Sequence, residues 1–171
     1  MKETKVVKFG GSSLADAKQF KKVAEIILDD PTRRFVVASA PGKRYVEDIK
    51  VTDMLYKCYE MASEGQNFDE QFQMIKDRYN NIIMDLGIED FSLEEDFEII
   101  KNNINTIMYL EDKLHAILEK VQSSETVTPE IAKLMKKSSK IKENIRRGFL
   151  LTQNRIFTSF FDNLFDSLYS K

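Results

Sequence analysis

A chain of 171 residues, 42% of them hydrophobic and 32% charged, is long enough for one domain with a buried core. Its formal net charge of −2 gives no general attraction to nucleic acid or to an anionic membrane surface, and its single cysteine, Cys58, excludes an internal disulfide and a CxxC metal site. No window holds the roughly 18 consecutive apolar residues that a spanning helix needs, and no apolar run of secretory length precedes the first glycines, so the expected setting is a reducing cytoplasm.

The first elements in chain order are two short β-rich runs, "KVVKF" at 5–9 and "RFVVASA" at 34–40. Between them Leu14, Ala17, Phe20, Val23, Ala24, Ile27 and Leu28 recur at helical spacing until "DDP" stops the pattern at 29–31. Strand, helix and strand within about 35 residues predict a βαβ unit, in which the strands run parallel and the crossover is right-handed. The expected fold class is therefore α/β at the start of the chain.

From residue 52 onward helical spacing takes over. Phe68, Phe72, Ile75, Tyr79, Ile82, Ile83 and Leu86 form one stripe, closed by Gly87. A second helix is predicted from "SLEE", where Ser92 and Glu95 have capping-box spacing, with a stripe from Phe97 to Val121. "QSSETVTPE" is a loop, after which Thr128 and Pro129 start a further helix. Gly148 marks a break, and the final segment places apolar pairs every four residues, Ile156 with Phe157 through Leu168 with Tyr169, as a wide apolar helix face. Two open-edged parallel strands are marginal unless covered, so the helices from residue 92 onward are expected to pack on the βαβ unit or beside it.

The most informative stretch is "VVKFGGSS" at 6–13. Glycines between a strand and a helix let backbone N–H groups approach a phosphate, because no side chain blocks the way, and a helix N-terminus favours the anion. Lys8 would bring a positive charge to a phosphoryl group, while Ser12 and Ser13 add hydroxyl donors. The order of lysine and glycines is neither that of a Walker A loop nor that of a dinucleotide fingerprint. Taken alone, the glycine pair is equally compatible with a tight turn beside a surface lysine.

Together, "VVKFGGSS", the helix after it, "VVASAPGKR" and "KVTDML" resemble the N-terminal portion of the aspartate kinases of the amino-acid kinase superfamily, over about residues 5–103. The resemblance implies the beginning of a three-layer amino-acid kinase-like fold, with an aspartokinase-like region at 1–103, followed by a helical region of unknown origin at 104–171. It implies transfer of the γ-phosphoryl of ATP, with Mg²⁺, to the side-chain carboxylate of L-aspartate, the step that opens lysine, threonine and methionine synthesis. Lys8 would contact the transferred phosphoryl group as the catalytic residue, Gly10, Gly11 and Ser12 would line the phosphate pocket with it, and Ser39 and Thr52 would hold the substrate aspartate. No Ser-Arg-Gly-Glu follows residue 100, where such enzymes carry further active-site residues, and no paired regulatory ACT domains follow. Weak or absent catalysis by this chain alone is thus expected, with a completing polypeptide or a homo-oligomer as possible supplements.

The remaining singular residues have ordinary explanations. His115, the only histidine, falls beside Glu111, Asp112 and Glu119 at helical spacing and suits a surface ion pair better than a metal. Cys58 is expected as a small half-buried residue rather than a reactive thiol. The six acidic residues of "EDFSLEEDFE" suit a solvated helix start. Seven basic against two acidic residues at 129–147 are expected on an outer helix face rather than against RNA or anionic lipid. The rival to the kinase reading is a helical interaction module, in which the C-terminal amphipathic helices bind a partner protein, a second copy or a membrane surface.

Overall fold

A computed structural model of the chain describes residues 4–89, 91–123 and 128–141. The two β-rich runs form strands β1 (Lys5–Phe9) and β2 (Arg33–Ala38), paired in parallel as predicted, with Val6 opposite Phe35 and Phe9 opposite Ala38. Among the described residues the sheet has these two strands alone.

Helix α1 (Ala17–Leu28) connects them, and its start is set by Asp16, whose carboxylate accepts from the Gln19 backbone N–H at 2.9 Å. An N-cap of this kind stabilises a helix by about 1 kcal/mol. Helices α2 (Val51–Ser63), α3 (Asp69–Leu86) and α4 (Glu94–Gln122) follow. Gly87 ends α3 with φ 72°, the left-handed conformation that glycine reaches without strain. At the start of α4 the capping box is not formed in the expected register: Ser92 lies two residues before the helix, and its hydroxyl accepts from the Glu94 N–H at 3.2 Å. Thr128 does cap the next helical run, accepting from Ile131, with residues 129–141 helical after it. The predicted break at Gly148 and the aromatic stripe from Ile156 to Tyr169 lie outside the described residues.

One apolar cluster unites these elements. Phe9 and Leu14 meet Phe20, Val23 and Ile27 of α1, Met54, Leu55 and Cys58 of α2, Phe72, Ile75, Tyr79 and Ile82 of α3, and Phe97, Ile100 and Ile104 of α4. The ring of Phe97 lies edge-on to Phe72 at 6.2 Å and tilted against Tyr79 at 6.1 Å, so α4 is seated by aromatic contacts. Helix α4 packs on α2 and, through Phe97, on Phe72 and Tyr79 of α3, and so lies beside the βαβ unit, the second of the two expected arrangements.

The apolar cluster covers one side of the sheet. Strand residues alternate, so Val7, Phe9, Val36 and Ala38 face the cluster, while Val6, Phe35 and Val37 on the other face are 68%, 61% and 48% exposed. Cys58 is fully buried, beyond the half-burial expected for it, because it lies on the core face of α2 between Leu55 and Ala62, and burial pushes its thiol up to about 12. His115 is exposed, with its Nε2 3.3 Å from a Glu119 carboxylate oxygen, so it lies on the surface beside an acidic neighbour as expected.

Candidate functional site

Both parallel strands end at the same level, and the loops that leave them form the site, as is usual at the carboxyl ends of parallel strands. After Phe9 the chain passes through Gly10 with extended backbone and enters a 3₁₀ turn, Gly11–Leu14. After Ala38 the ladder continues for one more bond, Ser39 N–H to Phe9 carbonyl at 3.1 Å, and the loop Ala40, Pro41, Gly42 then crosses the glycine turn. There the Gly42 N–H donates to the Gly11 carbonyl at 2.8 Å.

Only glycines allow this crossing. A Cβ on Gly42 would lie 2.5 Å from the Gly11 carbonyl carbon and 2.8 Å from the Ser12 nitrogen, and one on Gly11 would lie 2.9 Å from the Ala40 oxygen. A Cβ on Gly10 would meet nothing within 4 Å, so that glycine borders open space. The third segment is the start of α2, joined by the Val51 N–H donating to the Pro41 carbonyl at 3.2 Å.

The three segments enclose an open cleft of about 450 Å³. Of the residues singled out from sequence, Gly11, Ser12, Ser39 and Thr52 line it together. Lys8 and Gly10 are not among the lining residues: Lys8 is exposed on β1 in register with Val37, two residues before the glycine pair. Gly42, Lys43 and Lys50 line it as well, with Ala40 and Pro41, and were not singled out, although "APGKR" already displayed the first two. Lys43 Nζ donates to the Val46 carbonyl at 3.1 Å.

One expectation needs correcting. The glycine turn does not open directly onto an α-helix, because the 3₁₀ turn intervenes and Asp16 caps α1 with its own carboxylate. The helix end that borders the cleft is that of α2, where Lys50 at the N-cap makes no side-chain capping bond and Thr52 lies in the first turn. Its dipole favours an anion in the cleft, as do the lysines. The lining provides hydroxyls, backbone amides and ammonium groups but no carboxylate, a donor set suited to phosphate or carboxylate oxygens and not to Mg²⁺. Among the described residues no group of three or more His, Cys, Asp or Glu could hold a metal ion.

Behind the cleft lies a buried charge cluster that sequence reading also missed. Asp48 accepts from Arg44 through the backbone N–H and Nε at 2.8 Å and Nη2 at 2.9 Å, and from Arg78 Nη1 of α3 at 2.8 Å. The hydrogen bonds from Arg44, opposed by burial and joined by those from Arg78, hold the Asp48 carboxyl well below the usual carboxylate range. The signal for Arg78 was its position, three residues after Ile75 and four before Ile82, inside the apolar stripe.

No protein-family model matches the chain. It is 41% identical over 104 residues to aspartokinase 3 of Bacillus subtilis (strain 168), covering 61% of this chain and 22% of the relative. It is 33% identical over 96 residues to the chloroplastic aspartokinase 2 of Arabidopsis thaliana, covering 56% of this chain and 17% of the relative. The crystal structure of Clostridium acetobutylicum aspartate kinase superposes with a TM-score of 0.57 at 46% identity, over 59% of this chain and 23% of that one. The chain thus spans less than a quarter of the length of the proteins it matches, and over about three fifths of its own length it is related to the aspartate kinases.

Proposed function

We propose that the cleft is the phosphate- and aspartate-binding part of an aspartate kinase site, built on the first layers of an amino-acid kinase-like fold. The observation that carries this reading is the convergence of Gly11, Ser12, Ser39 and Thr52, from three separate segments, on one cleft with an anion-favouring lining.

In the proposed reaction a carboxylate oxygen of L-aspartate forms a bond to the γ-phosphorus of ATP as the bond to the ADP oxygen breaks, leaving an acyl phosphate and ADP. The nucleophile is already ionised at neutral pH, so no general base is required. Positioning and charge neutralisation carry the work. Lys8, by its match to the family motif, neutralises the transferred phosphoryl group, Gly10, Gly11 and Ser12 receive the phosphates, and Ser39 and Thr52 orient the aspartate. Mg²⁺ would be held by the nucleotide phosphates, since the lining supplies no carboxylate for it. Removing one charge-stabilising donor typically lowers a rate by about 10²–10³. The matched region spans less than a quarter of its relatives, so full turnover is assigned to this site together with groups that lie beyond that region, in a cytoplasmic setting.

Isothermal titration with Mg-AMPPNP, with and without L-aspartate, tests the reading. Binding that disappears in Lys8→Ala supports it. Absence of binding at millimolar ligand, or binding that survives Lys8→Ala, refutes the assigned site.

A further inference from the structure

Arg78 is 4% exposed and sits on the core face of α3, a place where an arginine brings a large desolvation cost. Its guanidinium spans two groups: Nη1 donates to Asp48 Oδ2 at 2.8 Å and Nη2 donates to the Gly42 carbonyl at 2.6 Å, while Nε has no hydrogen-bond partner among the described residues. Stability alone does not account for it, because a buried ion pair commonly contributes no more than a well-packed apolar residue of the same volume. What it uniquely does is grip Gly42 from behind.

The Gly42 peptide faces two ways. Its N–H donates to the Gly11 carbonyl, and its own carbonyl accepts from Arg78. The two glycine loops are therefore fixed against α3 by one continuous line of hydrogen bonds, from Arg78 through Gly42 to Gly11. Asp48 anchors the guanidinium and is itself held by Arg44.

We infer that Arg78 is a positioning residue for the cleft, setting the spacing of the two glycine loops through its bond to the Gly42 carbonyl. The inference rests on the function proposed above for its consequence in binding, but not for the geometry. Removing Arg78 leaves Asp48 with its three bonds from Arg44, so no unpaired buried carboxylate results and the fold is expected to survive. A lysine at 78 keeps the positive charge beside Asp48, yet its single ammonium group lacks the planar fork that reaches both acceptors.

The test combines thermal melting, amide hydrogen exchange at Gly42 and titration with Mg-AMPPNP, for the full chain and for Arg78→Lys and Arg78→Met. The expected result is that Arg78→Lys melts cooperatively near the wild-type temperature, that its Gly42 amide exchanges at least about tenfold faster, and that its nucleotide affinity falls at least about tenfold. A merely structural arginine would give the opposite for the lysine variant, with stability, exchange and affinity recovered together, and that result overturns the inference. If Arg78→Met fails to fold, Arg78→Lys decides. If the wild-type chain itself binds no nucleotide, the proposed function fails while the exchange rate still judges this inference: faster exchange at Gly42 in Arg78→Lys supports the strut, and an unchanged rate removes it.

Discussion

Replacing Gly42 by alanine tests whether the crossing of the two glycine loops is as tight as described. The added Cβ would start 2.5 Å from the Gly11 carbonyl carbon and 2.7 Å from its oxygen, and both are backbone atoms that cannot rotate aside. Restoring ordinary contact separates the loops by about 1 Å, which also breaks the Gly42 N–H bond to Gly11. Overpacking of this kind costs about 1–3 kcal/mol and the lost hydrogen bond about 0.5–1.5 kcal/mol. The reduced freedom of the unfolded chain returns about 0.4–1 kcal/mol. At mid-range the balance is a loss of about 2 kcal/mol, or about 4–8 °C in Tm for a chain of this size. Calorimetric melting reads the shift directly, and titration with Mg-AMPPNP on the same sample should show weakened binding below the melt. A Gly42→Ala protein that melts at the wild-type temperature would refute the reasoning, since it would mean that the loops part without cost.

Gly10→Ala should behave in the opposite way, with stability within about 0.5 kcal/mol of wild type because the new Cβ enters open space; a destabilised melt would contradict the described geometry. Asp48 has a folded-state pKa depressed below the unfolded value near 3.9, so its stabilising contribution is present above that value and is lost as pH falls through the folded pKa. Denaturant titrations from pH 6 to pH 2 should therefore show a steeper acid loss in wild type than in Asp48→Asn, and parallel profiles would count against the buried cluster. Cys58, raised to about 12 in the fold against about 8.5 when unfolded, should react with a disulfide reagent at pH 8 only at the rate of opening, and its linkage lowers stability from about pH 8.5 upward. Immediate labelling of the native chain would contradict its burial.

The sequence made the strands, α1 and α3 legible because each carries an unbroken apolar period bounded by an unmistakable stop: the Asp-Asp-Pro run after α1 and Gly87 after α3. The parallel pairing followed from the helix between the strands. Less was visible where a boundary depends on a single competing group. Ser92 has capping-box spacing, but the chain places its hydroxyl one residue out of that register. The sequence predicts that the glycine turn leads into a helix, but Asp16 claims the α1 N-terminus for itself, so the helix end beside the cleft belongs to α2. Ser39 and Thr52 were identified through family motifs, and geometry then brought them to one cleft. Arg78 and Asp48 are 30 residues apart, and no periodicity connects a loop carboxylate to a helix guanidinium across that distance. Their pairing is a product of tertiary packing.

The outward face of the two-stranded sheet has a consequence for handling the protein. Val6, Phe35 and Val37 form an apolar patch between strand edges that no other strand pairs among the described residues, the arrangement that invites edge-to-edge association. Lys8 on β1 and Arg34 on β2 place basic side chains on the same two strands, while Lys5 pairs with Asp30 at 2.9 Å and Arg33 lies 3.7 Å from the same carboxylate, so the like charge that keeps two such edges apart rests on Lys8 and Arg34. That protection is electrostatic and shortens with the Debye length, from about 10 Å at 0.1 M salt to about 3 Å at 1 M. Raising the ionic strength is therefore expected to lower the concentration at which this chain self-associates.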